Sequence, residues 1–262
     1  MASSIRGSIL GAKSPPYAAL AILSFWLLTT VAVYLLPVWH TSIDLSLMFK
    51  TPNTGQWFGH DDLGRSIGVR VITGAATSIT VAIAVVSITA VVGTAFGVCI
   101  AWFGRYVDLI GVRIIDIFLA FPGILLAIAL AAVLGPGIDN VIFALVAVSW
   151  VGFARLARAQ TLSLKQRDHV QVALALGTST MTIIRKHLLP LIAAPLIVEA
   201  TFAIAAVIIA EAGLSFLGLG VQPPTPSWGS MIKQGTQYLL IAPHMVVAPG
   251  LALFSMVFAV NI

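Results

Sequence analysis

The chain has 262 residues, of which 59% are hydrophobic and only 9% are charged, and its mean hydropathy is +1.04. Because a soluble globular domain carries roughly 25% charged residues, this composition excludes a soluble protein and indicates one that lies in a bilayer. The formal net charge of +5 is compatible with a nucleic-acid partner, but Lys and Arg in the cytoplasmic loops of a membrane protein explain it better. We therefore expect membrane lipid, and no nucleic acid, around the chain.

Six stretches are apolar enough and long enough to cross a membrane, for which a helix needs about 20 residues. We predict spans at about residues 17–38, 74–103, 114–134, 138–159, 191–214 and 244–262. The first is too long for the apolar region of a signal peptide, and no small-residue cleavage site follows it, so we expect it to be retained. In the third span, Pro122 predicts a kink. The predicted fold is all-α, a polytopic membrane protein with six transmembrane helices in a single transmembrane domain over residues 1–262.

Three long loops connect these spans, and the basic residues predict which side each loop occupies. With the N-terminus in the cytoplasm, loops 40–70 and 215–243 lie outside and loop 162–190 lies inside. Only four of the 14 Lys and Arg residues then fall outside: Lys50, Arg65, Arg70 and Lys233. Since Lys and Arg are enriched in cytoplasmic loops, this bias predicts a cytoplasmic N-terminus, with Arg6 and Lys13 inside.

The cytoplasmic loop 162–190 has the pattern of a short helical hairpin. Small and apolar residues recur at helical intervals: Val170, Ala173, Leu174 and Gly177. Gly177 permits a sharp turn, after which we expect a second short helix that ends at Pro190. That helix would carry three apolar residues on one face: Met181, Ile184 and Leu188. The hairpin either rests on lipid headgroups or docks on a cytoplasmic partner protein.

The outer loop 40–70 contains a short cluster of ionisable residues. His60, Asp61 and Asp62 make a metal site conceivable, but adjacent side chains in a strand or turn diverge. An internal salt bridge to Arg65, or a helix cap, is favoured, and no metal site is expected. In the second span, the Gly93-x-x-x-Gly97 spacing allows another helix to approach closely.

The cytoplasmic loop resembles the EAA loop of ATP-binding cassette (ABC) importer permeases. In that family the pattern is Glu-Ala-Ala, three residues, Gly, nine residues, Ile, any residue, Leu-Pro. The corresponding residues are Gln171, Ala173, Gly177, His187, Leu189 and Pro190. Gln171 and Val172 replace the glutamate and the first alanine, and His187 stands in the isoleucine place. The resemblance implies that this loop couples the permease to ATPase subunits.

The outer loops resemble one branch of that family more closely, the second permease of dipeptide, oligopeptide and nickel importers. The segment 58–65 is similar to Gly-Thr-Asp-x-Leu-Gly-Arg, with His60 in the threonine place, and it includes Asp61, Leu63, Gly64 and Arg65. The segment 210–229 matches the branch almost residue for residue, and it includes Ser215, Trp228 and Gly229. The resemblance runs from about residue 57 to residue 262. Family members continue beyond the position of Ile262 with a short polar tail.

This resemblance implies half of a type I importer in the bacterial cytoplasmic membrane. The expected partners are a homologous permease, forming a heterodimer, two cytoplasmic ATPase subunits and an extracytoplasmic substrate-binding protein. Di- or oligopeptides are the expected cargo, with nickel or a metal chelate as the alternative. The chain has no Gly-x-x-x-x-Gly-Lys-Ser/Thr phosphate loop, so we expect it not to be an enzyme and to bind no cofactor. ATP and Mg are expected on the ATPase subunits.

Two glutamates lie in the fifth predicted span, where ionisable groups usually face a cavity or a partner. Glu199 and Glu211 are separated by roughly 18 Å of rise and about 120° of rotation on a straight helix, so they cannot pair. Both are candidates for the translocation pathway. Glu211 could instead hydrogen-bond to the glycine-rich outer loop, and Glu199 could be a protonated, hydrogen-bonded carboxyl group.

A second class of function fits the composition, namely an ion-coupled secondary carrier that works without ATPases. Glu199 and Glu211 would then bind protons or cations. A carrier of that class has no evident use for the long loop 162–190, and it would not account for the match over 215–229.

Overall fold

The computed structural model describes residues 17–36 and 42–262. Regular structure in these residues is helical, apart from two isolated β-bridges, Asn53–Gln56 and His60–Ser66. The all-α prediction is confirmed. The basic residues Arg6 and Lys13 lie outside the described ranges, and so does the end of the predicted first span.

Ten α-helices, a 3-10 turn at Leu45–Leu47 and a π-helical turn at Ile184–Leu188 form the helical structure of the described residues. In chain order the α-helices are α1 Tyr17–Leu35, α2 Ile67–Phe103, α3 Arg105–Leu119, α4 Gly123–Leu134, α5 Ile138–Lys165, α6 Asp168–Ala175, α7 Thr180–Ile183, α8 Leu189–Leu217, α9 Trp228–Thr236 and α10 His244–Asn261. Five helices in this part of the chain are long and apolar enough to cross a membrane, and the bent α3–α4 pair makes a sixth if it is one span.

The predicted third span, 114–134, is not one kinked helix. Helix α3 ends at Leu119, α4 starts at Gly123, and their axes differ by 80°. Proline cannot continue the backbone hydrogen-bond ladder and disfavours helical backbone in the residue before it, so Pro122 breaks the helix here. The ionisable residues of α3 also suit an amphipathic helix better than a span: Arg105, Asp108, Arg113 and Asp116.

The centre of the molecule is the contact between α2 and α5, with α8 packed beside both. Gly93 and Gly97 make this contact possible. A Cβ atom at Gly93 would overlap the carbonyl oxygen of Trp150, and one at Gly97 would overlap that of Ala154. The close approach expected from this glycine spacing is therefore confirmed, as is common where membrane helices pack through small residues.

The loop 162–190 folds differently from the predicted hairpin. Helix α6 ends at a turn, but the second helix does not stop at Pro190, because Thr180–Leu217 runs as one helix of 38 residues. The π-helical turn at Ile184–Leu188 precedes the proline, and its wider winding accommodates a residue that cannot donate a backbone hydrogen bond.

The π-helical turn also changes which residues face the interior. Ile183 and Leu188, five positions apart, are both fully buried, whereas Met181 is 64% exposed. The predicted apolar face of Met181, Ile184 and Leu188 is therefore wrong at Met181. A π-helix repeats at five residues rather than at three or four, and this places Ile183 rather than Ile184 above Leu188.

Candidate functional site

One end of the molecule carries an elbow formed by α6, the turn at Gly177 and α7, residues 168–183. Its buried side packs Val170, Ala173 and Ile183 against Trp102 near the end of α2. Lys165, the last residue of α5, donates from Nζ to the carbonyl oxygen of Trp102 at 2.5 Å and lies 5.3 Å from the Trp102 ring centroid. The elbow therefore packs on the end of α2, and Lys165 ties that end to the end of α5.

The turn in the elbow depends on Gly177. Its φ is 75°, a left-handed conformation that suits glycine, and a Cβ atom added there would meet no atom of the described residues within 4 Å. The amide of Gly177 donates to the carbonyl of Leu174, and that of Thr178 donates to the carbonyl of Ala173, both at 3.0 Å. The requirement for glycine is thus conformational rather than steric, and it closes the end of α6.

The other residues of the EAA-like pattern spread over the elbow and the start of α8. Gln171 is exposed, and its side chain turns back and donates from Nε2 to the carbonyl of Lys165 at 2.8 Å. The His187 ring lies 6.3 Å from that of His169. Leu189 and Pro190 are exposed. Two large apolar side chains are exposed at the end of the elbow next to the turn: Val172 in α6 is 57% exposed, and Leu176, directly after α6, is 80% exposed.

The outer loop is held by a buried carboxylate. Asp61 is fully buried, and its Oδ1 accepts from the amides of Leu63 and Arg65, each at 2.9 Å. Its Oδ2 accepts from Nε of Arg65 at 2.7 Å and from the guanidinium of Arg70. Arg70 also donates to Oε1 of Gln234 at 2.8 Å. This clamp joins the outer loop, α2 and α9.

The predicted salt bridge between Asp61 and Arg65 is confirmed. In the part of the chain that the structure describes, no three His, Cys, Asp or Glu side chains are grouped so that they could hold a metal ion. The role of Arg70 was not anticipated. The one indication in the sequence was the position of Arg70, a charged residue immediately before a long apolar stretch.

Gly64, another residue of the outer motif, lies against the backbone of Asp44. Its φ is 70°, and a Cβ atom would overlap the carbonyl oxygen of Asp44. Asp44 caps the 3-10 turn by accepting from the Ser46 hydroxyl at 2.7 Å and from the Ser46 amide at 3.0 Å. These two hydrogen bonds hold the pKa of the Asp44 carboxyl group below its usual value.

Glu211 lies in the outer half of α8 and is fully buried. Its carboxylate accepts from the hydroxyl groups of Ser78 in α2 and Ser215 in α8, each at 2.7 Å. Ser215 falls within the predicted outer loop 215–243, although the structure places it in the last turn of α8, so the expected hydrogen bond to that loop is present at Ser215. Burial of a carboxyl group is costly, and the hydrogen bonds from these two hydroxyl groups explain how it is tolerated there.

Trp228 and Gly229 begin α9 and fix it against the span helices. Trp228 is fully buried and donates from Nε1 to the carbonyl of Val71 at 3.0 Å. A Cβ atom at Gly229 would overlap the carbonyl oxygen of Ala212. The segment that most resembled the family is therefore the one that packs α9 onto α2 and α8.

A cavity of about 720 Å³ lies between α3, α5 and α8. Four ionisable residues line it: Asp116, Arg155, Arg158 and Glu199. A second cavity of about 360 Å³ between α4, α5 and α8 also reaches Glu199. Glu199 thus lies where the two cavities meet, while Arg155 and Asp116, which no sequence pattern singled out, share the larger one with it.

The sequence is similar to those of known transport proteins. Residues 93–262 match the family described as binding-protein-dependent transport system inner membrane component. The chain is 46% identical over 211 residues to the glutathione transport system permease protein GsiD of Escherichia coli O1:K1 / APEC, covering 80% of this chain and 70% of that protein. It is 45% identical to GsiD of Shigella dysenteriae serotype 1 (strain Sd197), with the same coverage.

The fold also matches a solved structure. A chain of the MetNI methionine ABC transporter, solved in inward-facing conformations, superposes with a TM-score of 0.59 and 19% identity, covering 73% of this chain and 91% of that one. The type I importer permease fold predicted from the resemblance is confirmed. An ion-coupled carrier is not supported by the family match. The chain belongs to the binding-protein-dependent transport system inner membrane components, and it is a multi-pass inner-membrane permease of an ABC importer rather than an enzyme.

Proposed function

We propose that this permease imports small peptides or peptide-like compounds such as glutathione, and that the α6–α7 elbow couples it to cytoplasmic ATPases. The cargo class rests on the 46% identity to a glutathione permease. Nickel or a metal chelate remains the alternative cargo within the same branch. The N-terminus is cytoplasmic in this proposal, which places the elbow on the side where ATP is hydrolysed.

The proposed assembly is a heterodimer of this chain with a homologous permease, two ATPase subunits and an extracytoplasmic binding protein. ATP and Mg act on the ATPase subunits, and this chain holds no cofactor of its own. The exposed apolar pair Val172 and Leu176 at the end of α6 is suited to a groove on an ATPase subunit, as short amphipathic helices are in other complexes.

The coupling role rests on one observation, namely that the elbow contacts three of the long apolar helices. A displacement of α6 is transmitted through Val170 and Trp102 to α2, and through the Gln171 side chain, which donates to the carbonyl of Lys165, to α5. It also reaches α8 directly, because α7 and α8 form one helix. A packed interior transmits such displacements since it has few voids to absorb them.

The test is ATP-dependent uptake of labelled glutathione by the assembled transporter in proteoliposomes, with its binding protein present. Gly177→Pro should abolish uptake, because proline fixes φ near −65° and removes the amide that donates to Leu174. Gly177→Asn is the matched control and should retain uptake, since Asn tolerates a positive φ. Normal uptake by Gly177→Pro, at a normal level in the membrane, would refute the coupling role.

A second pair of variants tests the contact surface without touching the turn. Leu176→Ser should lower both uptake and binding-protein-stimulated ATP hydrolysis, because it removes an exposed apolar side chain from the proposed contact. Leu240→Ser removes a leucine that is 99% exposed in the loop after α9, and it should leave both rates unchanged. Equal effects of the two variants would contradict docking through α6.

A further inference from the structure

The larger cavity holds charged groups that have no partner within the described part of the protein. Among these residues, Asp116, Arg155 and Glu199 form no salt bridge within 4.0 Å and no side-chain hydrogen bond. Glu199 is eight residues beyond the start of the predicted span at 191, roughly 12 Å along the helix. A carboxylate at such a depth normally faces a cavity, a partner or an ion.

Arg158, the fourth charged residue of the cavity, behaves differently. Its Nε and Nη2 donate to the two oxygens of Asp108 at 2.6 and 2.7 Å, a bidentate pair that ties α5 to α3. The charge of Arg158 is therefore compensated by a salt bridge between two helices. Arg155 has no such partner among the described residues, so its guanidinium group can bind a ligand in the cavity.

The backbone of α5 makes room for Glu199. A Cβ atom at Gly152 would lie 2.8 Å from Oε1 of Glu199, so the carboxylate rests against the helix at that glycine. Arg155 lies three residues further along α5, on the same face one turn away, and it lines the same cavity. One cation and one anion thus line the same cavity.

We infer that this cavity is a cargo subsite for molecules that carry both an ammonium and a carboxylate group, as free peptides do. Glu199 receives the ammonium group, with Asp116 adding negative charge at the α3 wall, and Arg155 receives the carboxylate. The inference rests on the proposed function and adds to it the residues that recognise the cargo. A volume of about 720 Å³ is within the usual range for small-molecule sites and admits a tripeptide.

The apolar part of the lining gives the same site tolerance for different side chains. Ile115, Leu119 and Leu156 contribute walls without hydrogen-bonding groups. Charged groups fix the two ends of a peptide, whereas an apolar wall accepts varied residues between them. Such a division suits cargo selected by its backbone termini rather than by its sequence.

The test uses the assembled transporter in proteoliposomes and measures labelled glutathione uptake and ATP hydrolysis together. Glu199→Gln and Arg155→Gln should each lower uptake about tenfold or more, the usual effect of losing a charge-assisted hydrogen bond. ATP hydrolysis stimulated by the loaded binding protein should persist, so that fewer molecules are imported per ATP. Glu199→Asp should restore most of the uptake.

Arg113→Gln is the matched control, since Arg113 is exposed on α3 and does not line the cavity; it should leave both rates unchanged. Uptake by Glu199→Gln and Arg155→Gln at the wild-type rate would overturn the subsite. An equal fall for Arg113→Gln would also overturn it, because the effect would then be one of general charge. Wild-type transporter that shows no ATP-dependent uptake would instead refute the proposed function.

Discussion

The outer clamp offers the sharpest test of how the structure is held together, through Asp61→Asn. The two carboxylate oxygens of Asp61 have separate tasks, because Oδ1 accepts from backbone amides while Oδ2 accepts from Arg65 and Arg70. Asparagine can keep the first set through its carbonyl oxygen. Its NH₂ group would then face two guanidinium groups, a donor against donors, and both arginines are buried.

Removing one member of a buried charge network costs about 3–5 kcal/mol, since the remaining charges stay buried without compensation. We expect Asp61→Asn to lower the free energy of unfolding by about that amount. Asp62→Asn is the matched control. Asp62 lies 3.7 Å from Arg65 with its side chain 24% exposed, and a pair of that kind contributes roughly 0–1 kcal/mol.

Denaturant unfolding of the detergent-purified protein, followed by tryptophan fluorescence, measures both variants on one scale. The reasoning predicts a clear separation, with Asp61→Asn several-fold more destabilising than Asp62→Asn. A cost below about 1 kcal/mol for Asp61→Asn, or equal costs for the two variants, would show that the clamp contributes little to the fold.

Three further predictions address packing and orientation. Trp228→Phe should destabilise by about 1 kcal/mol in the same unfolding assay, because it keeps the ring in place but loses the hydrogen bond to the α2 backbone. Gly97→Leu should prevent a stable fold, seen as loss of a monodisperse peak in gel filtration, because its side chain would overlap the α5 backbone. With the chain's one cysteine, Cys99, replaced by Ala, Leu240→Cys should react with an impermeant maleimide added outside intact cells; Leu176→Cys should react only after the membrane is opened, and the reverse pattern would contradict a cytoplasmic N-terminus.

The local features of the fold could be predicted from the sequence because they depend on nearby residues. Long apolar stretches specify the spans, and the spacing of Gly93 and Gly97 indicated a close helix contact. Pro122 predicted a kink, whereas the structure has a break between two helices. Its size, an 80° change of direction, was not predictable, since it depends on how α3 and α4 pack against the rest of the molecule.

The loop 162–190 shows a different limit of prediction from the sequence. Gly177 indicated a turn from its residue type alone, and the turn is present with a positive φ. The face of the following helix was assigned wrongly because regular α-helical periodicity was assumed. The π-helical turn before Pro190 shifts that periodicity, and sequence spacing does not reveal where such a turn occurs.

Long-range partners were the least predictable part of the candidate sites. Asp61 was expected to pair with Arg65, four residues away, but Gln234 joins the same network from a distant helix. Likewise, Glu199 was recognised as unusual by its place in an apolar span. Arg155 was counted only as a basic residue near the cytoplasmic face, because nothing in the sequence places it in the same cavity.

The most direct test of the central claim is affinity purification of the tagged chain from its own membrane, followed by mass spectrometry and an ATPase assay of the eluate. We predict that a second permease and ATPase subunits with phosphate-binding loops elute with it. Gly177→Pro should release the ATPases, and Gly177→Asn should retain them. A chain that elutes alone or only with copies of itself, and that still moves solute without ATP, would contradict the account.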